Sequence, residues 1–305
     1  MPVTVTKAEQ YETFGACVHV TNGLIELYAT TGLGPRIIHL SLCGGENLFW
    51  TDPEGAADIH VPGLDLAFGK GDTYHLLGGH RLWGSPEHTV NSYYPDDETV
   101  ETAITANGCI LTPPAQKGTR LQFTMEVRMD PERARVSVRH RIQNVGGGVV
   151  TIAPWAITQL ATGGVEVFPQ SKQEIALLPD RVFVVWPYTD MGDRRLTWSD
   201  EFVALRPDKT PRPLKVGTHN RPGYALYHNK GVVFKKMWNS LPSAEYPDYG
   251  CNFETYTNKH FIEIESLAPL STLMDGQSAT HEEEWFVYPE PENLDEAALL
   301  QKYGG

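Results

Sequence analysis

The stretch Leu121-Gln122-Phe123-Thr124-Met125-Glu126-Val127-Arg128-Met129 decides the fold. Its apolar side chains recur at every second position, with Gln122, Thr124, Glu126 and Arg128 between them. Successive side chains of a strand point to opposite faces, so this run has one apolar and one polar face. After the turn Asp130-Pro131-Glu132-Arg133 the alternation resumes, with Ala134, Val136, Val138 and Ile142 inward and Arg135, Arg139 and Arg141 outward. Two half-buried strands around a proline-containing turn make an antiparallel hairpin.

The same signature spreads in both directions. Residues 16–21, 24–30, 36–42, 149–158, 181–188, 224–228, 232–237, 251–257, 261–266 and 283–288 all read as strands, punctuated by Gly, Pro, Asn and Asp. Helical periodicity is confined to the tail, where Asn293 or Asp295 can cap a short helix through Glu296, Ala297, Leu299 and Leu300. Many short strands with turn-rich joints predict an all-β sandwich or barrel, not an α/β fold. The chain has 305 residues and is 41% hydrophobic, enough for a substantial core. No linker, charge block or repeat divides it, so a single domain over residues 1–305 is expected.

Composition narrows the partners. A formal net charge of −13, with no stripe of Lys or Arg, argues against nucleic acid. No apolar run reaches the roughly 20 residues needed to span a bilayer, so no membrane association is expected. The opening residues 1–10 lack a signal-peptide pattern, and Cys17, Cys43, Cys109 and Cys251 are scattered, so a cytoplasmic protein with reduced, mostly buried thiols is expected.

One segment, residues 50–97, breaks the alternation and reads as a long glycine-rich loop, the kind that usually carries function. Within it, Gly78-Gly79-His80-Arg81-Leu82-Trp83-Gly84-Ser85-Pro86-Glu87-His88 combines an imidazole, a guanidinium, an indole and a carboxylate. A sugar site needs that mixture: charged groups for hydroxyls and a flat aromatic for the apolar face of the ring. The competing reading is a loop tied down by His80 and Arg81 with Trp83 as a core plug. Tyr93-Tyr94-Pro95-Asp96-Asp97-Glu98 fits no calcium loop and reads as a solvated turn over packed tyrosine. Glu254, in Gly250-Cys251-Asn252-Phe253-Glu254-Thr255-Tyr256-Thr257-Asn258, shares a strand face with Tyr256. His281-Glu282-Glu283-Glu284-Trp285 lacks the HExxH spacing; adjacent residues there point to opposite faces, and it reads as the start of an edge or terminal strand.

Several of these segments together resemble the galactose mutarotase-like (aldose 1-epimerase-like) superfamily. Leu33-Gly34-Pro35-Arg36-Ile37-Ile38 followed by Gly45-Glu46-Asn47-Leu48 is similar to its early strand pair. The Gly-His-Arg-Leu-Trp stretch is similar to its histidine-bearing loop, and residues 250–255 to the late strand that delivers its catalytic Glu. The nearest likeness is to a bacterial branch carrying Gly-Gly-His-Arg-Leu-Trp, Pro-Trp-Ala-Ile-Thr-Gln and Phe-Glu-Thr-Tyr-Thr segments. The resemblance implies a large antiparallel β-supersandwich, and a small sugar or an oligosaccharide as ligand. It implies no cofactor and no metal. In aldose mutarotases a carboxylate takes the anomeric hydroxyl proton while an imidazolium protonates the ring oxygen. Carried over, Glu254 is the base, His80 its partner and Arg81 a substrate clamp. Trp83, Glu87, Tyr94, Trp155 and Gln159 complete the expected substrate-binding set. One departure stands out: Trp155 occupies the place of the family's second histidine, the acid.

Enzymic action at or near an anomeric carbon is therefore the leading expectation, in a monomer or homodimer. A non-catalytic carbohydrate-binding protein, and a lyase acting on uronic acids, are the alternatives.

Overall fold

A computed structural model describes residues 2–173 and 175–304. The hairpin is formed by Leu121–Met129 and Arg135–Asn144, with Val127 opposite Val138 and Phe123 opposite Ile142. His140 falls on the same buried face as Val138 and Ile142. The hairpin lies inside a 10-stranded sheet, between Gly108–Thr112 and Ser278–Pro289. An 11-stranded sheet covers it. The centre of that second sheet runs Ile37–Leu42, His80–Ser85, Val150–Ala161, Phe261–Leu267, Phe253–Thr257, Leu214–Thr218, each strand antiparallel to its neighbour. The result is the all-β sandwich expected from the alternation.

The main core fills the space between the sheets. Leu160, Ile262, Ile264, Phe253 and Val216 from one sheet join Met125, Val127, Val138, Phe234 and Trp285 from the other in one cluster. Each large side chain fully buried there contributes roughly 1.5–3 kcal/mol. At the far end, Asp295 caps the helix Glu296–Tyr303 by accepting from the Ala298 amide at 2.8 Å, as its sequence predicts. No helix among the described residues is long and apolar enough to cross a membrane.

The 11-stranded sheet is covered on its outer side as well. Phe261–Leu267 is buried at every position: Ile262 and Ile264 face the main core, while Phe261 and Leu267 join a second cluster with Trp83, Trp155, Ile157, Leu64, Tyr74 and Leu76. The cover comes from residues 50–97. What reads as one loop is built from a small two-stranded sheet (Ile59–His60 with Thr73–Tyr74), the short helix Leu64–Phe68 and the strand His80–Ser85. Arg36, fully buried, pins it: Nε donates to Asp96 Oδ2 at 2.9 Å, Nη1 to the Leu76 carbonyl at 2.6 Å and Nη2 to the Tyr74 hydroxyl at 3.0 Å.

Two expectations shift. The strand expected over residues 181–188 is only Phe183–Val185, because Pro187 has no amide to offer a ladder. The strand expected from residue 283, at an edge or terminal, is Ser278–Pro289: it is the last strand of the described chain but lies in the interior of its sheet, between Val232–Trp238 and Arg135–Asn144. Its histidine and glutamate two residues apart, His281 and Glu283, share the buried face. All four cysteines are free, and three of them are buried.

Candidate functional site: an aromatic-walled cavity with an ionic floor

Gly78 and Gly79 lead the chain into the strand His80–Ser85 with φ of 86° and 72°. A side chain at either would strike backbone, the Trp50 carbonyl at 2.3 Å for Gly78 and the Ile37 carbonyl at 2.3 Å for Gly79. From there strict alternation applies, and it separates His80 from Arg81. Arg81 and Trp83 face outward, beneath the cover. His80 faces the interior.

Cross-strand register then assembles the outer face. Trp83 lies opposite Trp155, and Arg81 opposite Ile157. Ile157 lies opposite Glu265, and Gln159 opposite Glu263. Glu265 is paired with Glu254, Glu263 with Tyr256, and Tyr256 with Lys215. Five strands thus present Arg81, Gln159, Glu263, Glu265, Glu254 and Lys215 on one surface. Above it lies a cavity of about 440 Å³, walled by Trp83, Tyr93, Trp155, Tyr188, Tyr256 and Phe261, with Asp58, Glu87, Asn258 and His260 also on its lining. That volume falls in the ~300–1,000 Å³ range of small-molecule sites.

The floor is an ionic network in two halves. In one, Glu263 Oε1 accepts from Gln159 Nε2 at 2.8 Å and from Arg81 Nη2 at 3.3 Å, while the guanidinium lies 4.2 Å from the centre of the Trp83 ring. In the other, Lys215 Nζ sits 2.7 Å from Glu254 Oε2 and 2.9 Å from Glu265 Oε2. Glu265 Oε2 also accepts from the Trp155 indole at 2.8 Å. The ammonium lies 4.6 and 4.8 Å from the ring centres of Trp155 and Trp186. Burial, helped by the neighbouring Glu265 charge and opposed by Arg81, pushes the Glu263 carboxyl up to about 7. Burial alone lowers Lys215, but Glu254 and Glu265 outweigh it and hold the ammonium well above the ordinary lysine range. Glu254, fully buried, is pushed well above the usual carboxylate range despite Lys215.

Several polar atoms of this floor are buried without a hydrogen-bond partner among the described residues: Arg81 Nε and Nη1, Gln159 Oε1, Glu254 Oε1 and Glu265 Oε1. An unsatisfied buried polar group costs about 1–3 kcal/mol, so this many in one place is a feature that needs a reason. Both donors and acceptors are on offer, which suits hydroxyl groups, since each hydroxyl can give and take a hydrogen bond.

Of the residues singled out in the sequence, the structure brings Arg81, Trp83, Glu87 and Trp155 to the cavity lining, with Gln159 and Glu254 in the floor behind them. Tyr94 stands instead beside a separate, much smaller space of about 40 Å³, its hydroxyl 3.3 Å from Glu98.

His80 is a correction. It is fully buried, with Nε2 3.1 Å from His140 Nε2 and Nδ1 2.9 Å from Thr158 Oγ1. It therefore lies on the opposite face of the sheet from Glu254, and the two cannot converge on one ligand. Burial holds its imidazole well below the usual histidine range, hence neutral. Its neighbours form a network between the sheets. Lys236 Nζ lies 2.8 Å from Glu283 Oε1 and donates to the carbonyls of Ala156 and Ile264 at 2.9 and 3.0 Å. Ligand atoms of His80, His140 and Glu283 approach within 4.8 Å of one another. Lys236 already neutralises that carboxylate, so a divalent ion would add two uncompensated positive charges to the interior; the cluster reads as a buried ion-pair network.

Glu263, Glu265 and Lys215 went unrecognised in the sequence. Phe261-Ile262-Glu263-Ile264-Glu265 alternates as any strand with a wet face does, and Lys215 is a lone cation between Leu214 and Val216. The clue available was a second carboxylate strand beside that of Glu254.

No protein-family model matches this sequence, and no curated protein matches it. Solved structures do. A provisionally assigned aldose 1-epimerase from Klebsiella pneumoniae matches at a TM-score of 0.63 and 12% identity, over 99% of this chain and 87% of its own. A provisionally assigned aldose 1-epimerase from Escherichia coli K12 matches at 0.56 and 12%, over 94% and 99%. A galactose mutarotase-like protein from Lactobacillus casei matches at 0.53 and 9%, over 89% and 100%. At these identities the likeness establishes the fold: this chain has the mutarotase-like β-sandwich.

Proposed function

We propose that the cavity binds a small sugar and moves protons at its anomeric centre, as an aldose mutarotase does. The observation that carries this reading is the set of unpartnered, buried donors and acceptors on the floor of a cavity walled by aromatic rings. Indole and phenol faces suit the apolar face of a pyranose, and the floor suits its hydroxyls. The fold supports it, because the structural neighbours described as aldose 1-epimerases share the same sandwich.

Glu263 is the group best placed to exchange a proton with a ligand. It lines the cavity, and a carboxyl near 7 is poised for general acid–base work at neutral pH. Glu254, the base expected from the sequence, lies behind Lys215 and acts through it. A non-catalytic receptor is the second reading; it is favoured by Trp155, an indole where a titrating imidazole is expected. Elimination from a uronic acid has weaker support. Even with Glu254 protonated, Asp58, Glu87 and Glu265 outnumber Arg81 and Lys215 at this site, which disfavours an anionic ligand.

The test is nuclear magnetic resonance of the purified protein with a panel of free aldoses and uronic acids, recording ligand saturation transfer and anomer exchange together. Exchange above the spontaneous rate supports the enzyme, and saturation transfer without exchange supports the receptor. A panel that shows neither would end the sugar-site reading.

A further inference from the structure

We propose that Lys215, backed by Glu254, is the acid that protonates the ring oxygen. The inference rests on the reading of the cavity as a site of anomeric chemistry.

Opening a cyclic hemiacetal needs two proton movements, one off the anomeric hydroxyl and one onto the ring oxygen. Glu263 serves the first. For the second, the interior-facing His80 is on the wrong side of the sheet, and Arg81 does not release protons in a protein. Lys215 lines the cavity and is nearly completely buried. Its ammonium has three hydrogens; one is donated to Glu265 Oε2 at 2.9 Å and Glu254 Oε2 lies 2.7 Å away, so a hydrogen remains for a ligand. The indoles of Trp155 and Trp186 bracket it and keep it in place.

A lysine held by two carboxylates is a poor acid if it must end up neutral. Glu254 removes that difficulty. Burial favours its protonated form, and its Oε2 lies 2.7 Å from Nζ, so a proton can follow the one that leaves. In the forward step the anomeric hydroxyl proton passes to Glu263. The bond between the anomeric carbon and the ring oxygen breaks, its electron pair going to the oxygen. That oxygen takes a proton from Nζ as Nζ takes the proton of Glu254. Rotation of the aldehyde carbon and the reverse transfers close the ring on the other face and restore every group.

The experiment uses the full chain and an aldose whose anomers the wild type exchanges. Lys215→Met is expected to lower the saturated exchange rate by about 10²–10⁴-fold, while saturation transfer to the bound sugar persists. Because this change leaves Glu265 without its cation, Glu254→Gln is measured alongside. It keeps the Lys215–Glu265 pair and removes only the proton supply, with a loss of at least tenfold expected. Arg139→Gln, exposed on the outer face of the 10-stranded sheet and away from the cavity, serves as the control and is expected within threefold of wild type. A folded Lys215→Met or Glu254→Gln protein that exchanges anomers within threefold of wild type overturns the proposal and leaves the sugar site standing. A wild type that binds aldoses but exchanges none overturns both.

Discussion

Lys236→Met should be among the most damaging single substitutions in this molecule, although it touches no cavity residue. Lys236 is completely buried and neutralises Glu283, also buried, at 2.8 Å. Its ammonium further donates to the Ala156 and Ile264 carbonyls and to Thr158 Oγ1 at 3.1 Å. Methionine fills much the same volume, so the loss is electrostatic. Glu283 keeps its bond from the Trp285 indole but becomes an uncompensated interior charge. Removing one partner of a buried pair costs about 3–5 kcal/mol, a large share of the roughly 5–15 kcal/mol that a domain has. Glu283→Gln should cost a similar amount by stranding Lys236. The double variant should recover about 2–3 kcal/mol relative to the sum of the singles. Urea denaturation of all four proteins at pH 7 measures this directly. Acid provides a second readout. Although burial opposes it, Lys236 holds Glu283 well below the usual carboxylate range. That contribution to stability is present above the ordinary carboxylate value and disappears as pH falls through the folded one. Lys236→Met should therefore lose less stability on acidification than wild type. A cost below about 1 kcal/mol for either single variant would refute the reasoning.

Glu263→Gln should lower anomer exchange by about 10²–10⁴-fold with sugar binding retained, and the wild-type rate should rise with pH around 7 as this base ionises; a flat profile counts against it. His80→Gln should weaken the fold in urea while leaving exchange per folded molecule within threefold, since its ring faces away from the cavity. Glu166, buried and pushed by that burial from 4.5 to about 8 despite the Thr255 hydroxyl at 2.6 Å, lowers stability as pH rises through that window. Glu166→Gln should flatten the stability profile there, with a gain on the order of a few kcal/mol at pH 8 in urea titrations. Gly217→Ala would place a methyl 2.6 Å from Cys251 Sγ and 3.3 Å from Glu254 Cγ. It should cost about 1–3 kcal/mol, and thermal melts should show Cys251→Ala restoring part of that.

Much of the architecture was legible because period-2 alternation survives wherever one face of a strand is apolar. The inward faces of the hairpin, Val127 and Val138 among them, follow from it directly; their register depends on the length of the turn. The tail helix followed from its Asp295 cap. Where both faces are covered, alternation misleads: Glu263 and Glu265 look like a wet face and instead form the floor of a cavity. Residues 78–88 read as a loop because of their glycines, which hide the strand alternation that separates His80 from Arg81. The glycines instead serve a close backbone approach at the strand's entrance. Lys215 belongs to a short strand, Leu214–Thr218, that follows Pro213, contains Gly217 and shows no pattern of its own. Distant neighbours in sequence, such as Arg81 and Glu263, meet only through the strand order.

The strand Val150–Ala161 presents Trp155, Ile157 and Gln159 to one compartment, and Ala156 and Thr158 to the other. There is no inert layer between them, only the thickness of one backbone. Altering what this protein recognises is thus a problem with memory: a replacement chosen for a new ligand at 155 or 157 tugs on the carbonyl that Lys236 holds at 156. Retuning by single steps would be penalised twice, and the routes open to a drifting lineage or a laboratory library should run through paired exchanges across the sheet.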